Sequence, residues 1–294
     1  MAGIKRLFGT AVMGMGYVLL LPAPALAWDF AGHFIVAAVA EKNLDPPIRA
    51  EAGRLLHLLA TAEPASGDFV PPAAWLDAQG WNPDFGLMDD WHYLSLSYPP
   101  RSREPAGRLA EVSVMAVRTL AGPRSTDFQK ALMLRVLMHT IGDMHQPLHA
   151  ISYSSREHPA GDDGGRGFPL QGPYPNLHAL WDAAGGQYPY LQLENWQQAL
   201  PLARTLEAEF PAARFGIRPP NPHAFIADFS ANPTRWIEES YLIALTTAYH
   251  NIEPNQTPSP DYLASVRAAS RHQLAMAGYR LAHLLNAALG VKGG

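Results

Sequence analysis

Apolar and polar positions follow a helical period along most of this chain. Apolar residues recur at the three- to four-residue spacing of one helix face, beginning with Val36, Val39 and Ala40 in the segment 33–44. The same spacing predicts further helices over 47–59, 105–121, 126–146, 193–210, 222–250 and 260–289. Alternating runs rich in β-branched residues, which would predict strands, are no longer than about five positions. The pattern therefore predicts an all-α fold.

Proline and glycine mark the connections between these segments. The main predicted loops lie at 62–72, 97–104, 155–175, 211–222 and 252–260. We find no internal repeat, no low-complexity run and no shift in composition that would divide the chain. Residues 28–294 are numerous enough to bury a core of their own, so we expect a single compact multi-helix domain.

The first 27 residues have the pattern of a secretory signal peptide. A basic start, Lys5-Arg6, precedes an apolar stretch to about residue 21, and Ala25-Leu26-Ala27 forms an A-x-A cleavage site. The alternative is a membrane anchor, but the stretch is shorter than the roughly 20 residues that a span needs. We therefore expect cleavage after Ala27 and a secreted or periplasmic protein without a membrane span.

Charge and cysteine content exclude some classes of function. The chain has 22 Lys and Arg residues against 26 Asp and Glu. Cleavage would remove Lys5 and Arg6 and no acidic residue, which changes the formal charge from −4 to −6. An acidic protein is poorly suited to coat DNA electrostatically, unless bound cations supply positive charge locally. The chain has no cysteine, so no disulfide can stabilise it in an oxidising compartment.

Two His–Asp pairs have the spacing of neighbours on one helix face. His139 and Asp143 are four residues apart, and His178 and Asp182 repeat this spacing. Spacing alone is compatible with a metal ligand set or with an ordinary polar network. Apolar residues flank both pairs, and an ionised aspartate in such surroundings needs a charged partner. A divalent cation would satisfy it, since histidine with carboxylate is a common zinc ligand set.

A third His–Asp pair with this spacing does not share a helix face. Pro159 and Gly161 lie between His158 and Asp162, which predicts a loop. We therefore do not interpret this pair as a ligand set.

Further histidine and aspartate residues lie in short aromatic segments. Pro147 should bend the chain after the first pair and bring His149 back toward the same side. Trp75-Leu-Asp77 and Trp91-His-Tyr93 contribute Asp77 and His92, which are fifteen residues apart.

Together these segments resemble the S1/P1 nuclease family, within a superfamily that also contains zinc-dependent phospholipases C. The resemblance extends from Trp28 to the C-terminus. It is carried by Trp28 with His33 five residues later, Trp75-Leu-Asp77, Trp91-His-Tyr93, the segments 139–149 and 176–182, Trp236-Ile-Glu-Glu-Ser240 and the segment 273–282. The segments 139–149 and 176–182 are very specific in combination. The resemblance implies an all-α fold of the phospholipase C/P1 nuclease type.

The resemblance also implies three zinc ions. The first is expected on Asp77, His92, His139 and Asp143. The second is expected on His149, His178 and Asp182. The third is expected on the amine and carbonyl of Trp28 with His33 and Asp143, which would bridge two ions. Because the Trp28 amine is freed only by cleavage, the uncut precursor should lack a complete third site.

The implied activity is hydrolysis of phosphodiester bonds in single-stranded DNA and RNA to 5′-nucleotides, with 3′-nucleotidase activity. Asp77 is expected to orient the attacking water as a catalytic residue. Tyr93 is a candidate for stacking an unpaired base, with packing in the core as the alternative. Arg166 is a candidate phosphate contact, with a solvated loop charge as the alternative. The partners would be nucleic acid and 3′-nucleotides as substrates, and we expect a monomer without a stable protein partner.

Three positions depart from the family pattern. The Gly-Gly-Asn of the family loop reads Gly164-Gly165-Arg166 here. Gly80 stands where family nucleases often carry Lys or Arg, which leaves the rate open. Ser95 stands where an acidic residue is frequent, which leaves the base preference open.

Two other functions compete with the nuclease. One is a phospholipase C of the same superfamily, and the other is a zinc-binding protein without catalysis, which Gly80 favours. The five-residue spacing from Trp28 to His33 favours the nuclease over the phospholipase, as does Asp182, where the lipases typically carry Glu.

Overall fold

The computed structural model describes residues 28–60, 68–79, 83–100, 104–217 and 221–290. The expected signal peptide and Gly80 lie outside these residues. The helices are α1 (Phe30–Lys42), α2 (Pro46–His57), α3 (Trp75–Gln79), α4 (Leu109–Ala121), α5 (Asp127–Met144), α6 (Leu177–Asp182), α7 (Ala199–Glu209), α8 (Pro222–Ala231), α9 (Arg235–Ile243) and α10 (Pro260–Gly290). The predicted all-α fold is confirmed.

One long predicted helix is interrupted. The segment 222–250 forms α8, α9 and a π-helical turn at Ala244–Ala248 rather than one continuous helix. Pro233 lies between α8 and α9, and a proline within a helix removes a backbone donor and clashes with the preceding turn. The apolar period continues across the break because both helices pack on the same core.

Two short strands were not predicted. Strand β1 (Leu96–Tyr98) pairs in parallel with β2 (Ile151–Tyr153), with Leu96 opposite Ile151. Three residues are too few to give a period-two signal. Just before this pair, the N–H of Leu94 donates to the His149 carbonyl at 3.0 Å and links the segments that precede the two strands.

Helix α1 lies in the centre of the fold. Every residue from Ala31 to Ala40 is buried, and the helix packs against α10, α7 and α5. A helix that is buried on all sides belongs to the interior of a large domain. The α10 contact is close because Gly278 has no side chain: a Cβ there would lie 2.5 Å from the Val39 Cβ.

None of the helices in the described ranges combines the length and the apolar character that a membrane crossing requires.

The close approach of α1 and α10 predicts a difference between two glycine substitutions. Gly278→Ala should lower the free energy of unfolding by about 1–3 kcal/mol, because the added methyl overpacks the interface. Gly53→Ala in α2 is the matched control, since a Cβ there meets nothing within 4 Å, and it should raise the free energy of unfolding by about 0.5–1 kcal/mol. Urea unfolding followed by circular dichroism measures both. An unchanged midpoint for Gly278→Ala would contradict the packing.

Candidate metal centre

Helix α5 places His139 and Asp143 on one buried face. A capping box between Thr126 and Gln129 begins the helix, and its last three turns are buried in the core. The His139 Nε2 lies 3.2 Å from the Asp143 Oδ2, and both side chains are fully buried. The sequence spacing therefore gives the predicted shared face.

Asp77 and His92 join this pair from two other segments. Asp77 lies in α3, and its Oδ1 is 3.4 Å from His139 Nε2 and 3.5 Å from His92 Nδ1. His92 follows the 3₁₀ turn Pro83–Trp91. Its Nδ1 lies 3.2 Å from Asp143 Oδ2 and 3.0 Å from His139 Nε2. We call Asp77, His92, His139 and Asp143 the first group.

The beginning of α1 meets the first group. The His33 Nε2 is 3.4 Å from Asp143 Oδ1, and the His33 ring stacks on the His139 ring at 3.9 Å between centroids. The buried Trp28 indole donates to the Gly142 carbonyl at 3.0 Å. Gly142 permits the close approach of the His33 ring, since a Cβ there would lie 2.9 Å from His33 Nδ1. His33 therefore lies beside Asp143, and Trp28 lies against Gly142, the residue before Asp143.

His149, His178 and Asp182 form a second group. Helix α5 ends at Met144, and the 3₁₀ turn Pro147–His149 returns the chain, so that His149 Nδ1 lies 3.9 Å from Asp143 Oδ1. The His178 Nε2 is 3.3 Å from Asp182 Oδ2, and the His149 Nε2 is 4.0 Å from Asp182 Oδ1. The two groups are thus neighbours.

Backbone carbonyls orient three of these histidines. The Nδ1–H groups of His139, His149 and His178 donate to the carbonyls of Ala73, His92 and Gly164 at 2.8, 2.6 and 2.7 Å. A carbonyl oxygen can only accept, so the proton of each neutral ring is on Nδ1 and the lone pair is on Nε2. This is the usual arrangement for a histidine that ligates a metal, in which the second nitrogen donates to an outer partner.

Burial controls the protonation of the second group and of His33. It lowers the pKa of His33 and His178 well below the ordinary histidine value, and that of His149 to about 4. It raises the pKa of the Asp182 carboxyl well above its usual range. These three imidazoles are therefore neutral at pH 7, as metal ligands must be.

His139 and Asp143 differ from these residues because two carboxylates, those of Asp143 and Asp77, lie beside the His139 ring and raise its pKa. Burial lowers the pKa of His139, but the carboxylates of Asp143 and Asp77 outweigh this and raise it to about 9. Burial favours the protonated form of Asp143, but the positive charge on His139 outweighs it and holds the Asp143 pKa well below its usual range. A cation bound here would replace the His139 proton.

Several buried atoms at the centre make no hydrogen bond to the described residues. These atoms are both carboxylate oxygens of Asp143, the Nε2 of His33 and the Nε2 of His149. Buried polar atoms ordinarily have a partner, and converging lone pairs of imidazole nitrogens and carboxylate oxygens are suited to a divalent cation. In each of three sets of residues, the ligand atoms lie within 4.8 Å of one another. The sets are His33, His139 and Asp143; Asp77, His92 and His139; and His149, His178 and Asp182. The donor sets fit divalent metal ions.

Tyr93 and Arg166 lie at the edge of the centre. Tyr93 is half-buried and lines a cavity of about 190 Å³ with Ser95 and Asp163. The Arg166 Nη2 lies 2.9 Å from the His178 Nε2, and its Nη1 lies 3.6 Å from an Asp163 oxygen. Neither side chain is packed wholly in the core, and the Arg166 guanidinium faces the second group.

His158 and Asp162, the loop pair left out of the predicted ligand sets, have other partners. The Asp162 carboxylate accepts from the Tyr153 N–H at 2.9 Å and from the Tyr249 hydroxyl at 2.7 Å. The His158 ring lies against Gly167. Asp162 therefore holds the loop against its neighbours.

Sequence reasoning missed two contributors to the centre. Gln146 lies inside the segment 139–149, and its amide donates to the Asp182 carboxylate. Gly164 supplies the carbonyl for His178 at a φ of 63°, close to the Leu148 carbonyl, where a side chain would clash. The adjacent glycines Gly164 and Gly165 were a sequence signal for such a turn, whereas no local pattern points to Gln146.

Converging buried histidines and carboxylates in an all-α fold are typical of a metal-dependent hydrolase. Comparison with known proteins defines the family. The chain matches the S1/P1 Nuclease family over residues 28–290, and it belongs to that family.

Named relatives agree with this assignment. The chain is 27% identical to Nuclease P1 of Penicillium citrinum over 285 residues, which cover 88% of this chain and 97% of the relative. It is 24% identical to Endonuclease 4 of Arabidopsis thaliana over 297 residues, with 89% of each chain covered. It is 24% identical to Endonuclease 2 of Arabidopsis thaliana over 294 residues, covering 92% and 94%. The protein is thus a phosphoester-hydrolysing enzyme of the nuclease class, and its substrate is nucleic acid.

The high pKa of His139 predicts that metal binding releases protons. Loading the metal-free protein with Zn²⁺ at pH 8 should release about one proton or more, because His139, with a pKa of about 9, is mostly protonated at that pH and must become neutral to ligate. Calorimetry in buffers of different ionisation enthalpy measures the number released. His158→Gln is the control and should release the same number. A binding heat independent of the buffer would contradict the prediction.

Proposed function

We propose that this nuclease is zinc-dependent, cuts single-stranded DNA and RNA to 5′-nucleotides, and also removes 3′-phosphates from nucleotides. The observation that carries the proposal is the convergence of nine predicted residues on Asp143 and its surroundings. Eight of the nine are the histidines and aspartates whose ligand atoms lie in the three sets described above. The ninth is Trp28, whose indole donates to the Gly142 carbonyl.

The proposed ligand sets for three zinc ions follow the two groups and the N-terminus. The first group would hold one ion and the second group another. The third would lie between Asp143 and His33, with the amine and carbonyl of Trp28 completing its ligands. The hydrogen bond from the Trp28 indole to the Gly142 carbonyl supports this placement, because Gly142 immediately precedes Asp143 in α5. Zinc fits because the donors are imidazole nitrogens and carboxylate oxygens.

Bound zinc ions would make a water molecule acidic and would neutralise charge on the phosphate. Asp77 has a separate task. Its side chain lies between His33, His92 and His139 at 3.4 to 3.7 Å, so its carboxylate can accept the proton of an attacking water and orient the oxygen toward phosphorus. The surrounding burial excludes bulk water that would otherwise compete for this proton.

Arg166 is proposed to bind a non-bridging phosphate oxygen. In the structure its guanidinium donates toward the lone pair of His178 Nε2. A ligand bond from that lone pair would displace the guanidinium, which would then be free to point outward to an anion. Arginine suits this task because its planar donors match phosphate geometry.

Tyr93 is proposed to stack an unpaired base, which supports a preference for single strands. The ring is half-buried and follows the proposed ligand His92 directly in sequence. A base must be unpaired to stack on a side chain beside the centre. The hydroxyl of Ser95 in the same cavity is uncharged, so it can both donate and accept, and we infer no strong base preference from it.

The proposal includes export of the protein, and it keeps the sequence-based expectation of a monomer. The signal-peptide pattern of residues 1–27 supports export to the periplasm or the medium. Cleavage after Ala27 would also free the Trp28 amine for the third ion, so export and assembly of the centre would be linked.

Substitution of Asp77 tests the catalytic role. Asp77→Asn should lower kcat on single-stranded DNA by about 100- to 10,000-fold, because the amide cannot accept the proton. The readouts are oligonucleotide cleavage, the phosphate position on the products, and zinc content by elemental analysis. Asp261→Asn, an exposed aspartate at the start of α10, is the control and should retain full activity.

Substrate comparison separates the nuclease from a phospholipase. The wild-type protein should cleave single-stranded DNA to products with 5′-phosphates and should leave phosphatidylcholine intact. Hydrolysis of phosphatidylcholine without cleavage of DNA would reject the proposal. An Asp77→Asn variant with full zinc content and full activity would reject the proposed role of Asp77 but not the nuclease function.

The stacking role predicts an effect on substrate binding. Tyr93→Ala should raise KM for single-stranded DNA by about 5- to 150-fold, equivalent to about 1–3 kcal/mol of stacking, and should leave KM for a small phosphodiester without a base unchanged. Tyr190→Ala is the control, since the Tyr190 side chain is 74% exposed. An equal rise in KM for both substrates would show that Tyr93 acts through packing.

A further inference from the structure

Gln146 makes two short hydrogen bonds at the second group. The residue is fully buried just after the end of α5. Its Nε2 donates to the Asp182 Oδ1 at 2.5 Å, and its Oε1 accepts from the Leu148 N–H at 2.5 Å. One side chain therefore contacts Asp182 and also caps the turn that carries His149.

We propose that Gln146 is a positioning residue that is required for the metal ion of the second group and not for the ion of the first. The inference rests on the proposed function, since it assumes that His149, His178 and Asp182 hold an ion. It adds that a side chain outside the ligand set fixes two of these three ligands.

Gln146 fixes the orientation of the Asp182 carboxylate. The terminal torsion of an aspartate is broad, so its two oxygens can exchange places at little cost. The Gln146 amide holds Oδ1, and this leaves Oδ2 facing His178 Nε2 at 3.3 Å. Without the amide, the carboxylate would have to find this orientation each time that an ion binds.

Gln146 also caps the turn Pro147–His149. The Gln146 side chain accepts the Leu148 N–H, which fixes the start of a turn whose last residue is His149. The His149 ring is then oriented by the His92 carbonyl. The amide of Gln146 thus couples the positions of two proposed ligands that are 33 residues apart in sequence.

Gln146 differs from the other outer contacts because its hydrogen bonds come from a side chain. His139, His149 and His178 donate to backbone carbonyls, which a substitution does not remove. The hydrogen bonds of Gln146 reach Asp182 and Leu148, and neither belongs to the first group. Loss of the amide should therefore weaken one ion selectively, and outer-contact substitutions typically cost 10- to 100-fold in metal affinity.

The test counts zinc ions in the full-length mature protein at controlled free zinc. Gln146→Met removes both hydrogen bonds at nearly the same volume, and Gln146→Asn keeps an amide that is too short to reach Asp182. Each variant should bind one ion about 10- to 100-fold more weakly than the wild type, while the other ions keep their affinity. Elemental analysis and chelator competition provide the readout independently of activity.

Gln273→Met is the matched control. Gln273 is also fully buried, and its amide donates to the His145 carbonyl and to the Ser240 hydroxyl, both at 3.1 Å. Its loss should lower the melting temperature without weakening any ion. Thermal unfolding of all variants separates loss of fold from loss of metal.

The outcomes distinguish this inference from the proposed function. A wild-type protein that binds no zinc would reject the proposed function and the inference with it. A wild-type protein that binds zinc, together with Gln146→Met and Gln146→Asn variants of unchanged affinity, would overturn the inference alone. A uniform loss of all ions in folded Gln146 variants would also overturn it, because the selectivity would be absent.

Discussion

The structure depends on a carboxylate that is buried without ordinary hydrogen-bond partners. Asp143 is fully buried, and both of its oxygens make no hydrogen bond to the described residues. Three imidazole nitrogens, from His33, His92 and His139, lie within 3.4 Å of it. A buried negative charge is stable only beside positive charge. A proton on His139 supplies that charge in the metal-free protein, and a divalent ion would supply more of it.

The helical core keeps these groups at fixed positions. α1 is buried on all sides and carries His33, while α5 carries His139 and Asp143. The N–H of Asp29 donates to the Asp182 carbonyl at 3.0 Å, which ties the start of α1 to the second group. Because the side chains come from packed helices and from carbonyl-oriented rings, little reorganisation is needed to bind an ion. This is the preorganisation that electrostatic catalysis requires.

Most of the fold could be predicted from the period of apolar residues. The segments 33–44 and 126–146 correspond to α1 and α5 within a few residues, because apolar residues recur in both at the helical spacing. The break at Pro233 was not predicted, because the apolar period continues through it and favours one helix over 222–250. The β1–β2 pair could not be predicted, because its three-residue strands are held by partners more than fifty residues away.

The sequence by itself determined that His139 and Asp143, like His178 and Asp182, share a helix face, because that relation depends only on the helical repeat. Only the tertiary structure decided that the two pairs are neighbours, with His149 Nδ1 3.9 Å from Asp143 Oδ1. It also decided that Gln146 contacts Asp182. Contacts between distant segments depend on how helices pack, and a local period carries no information about that.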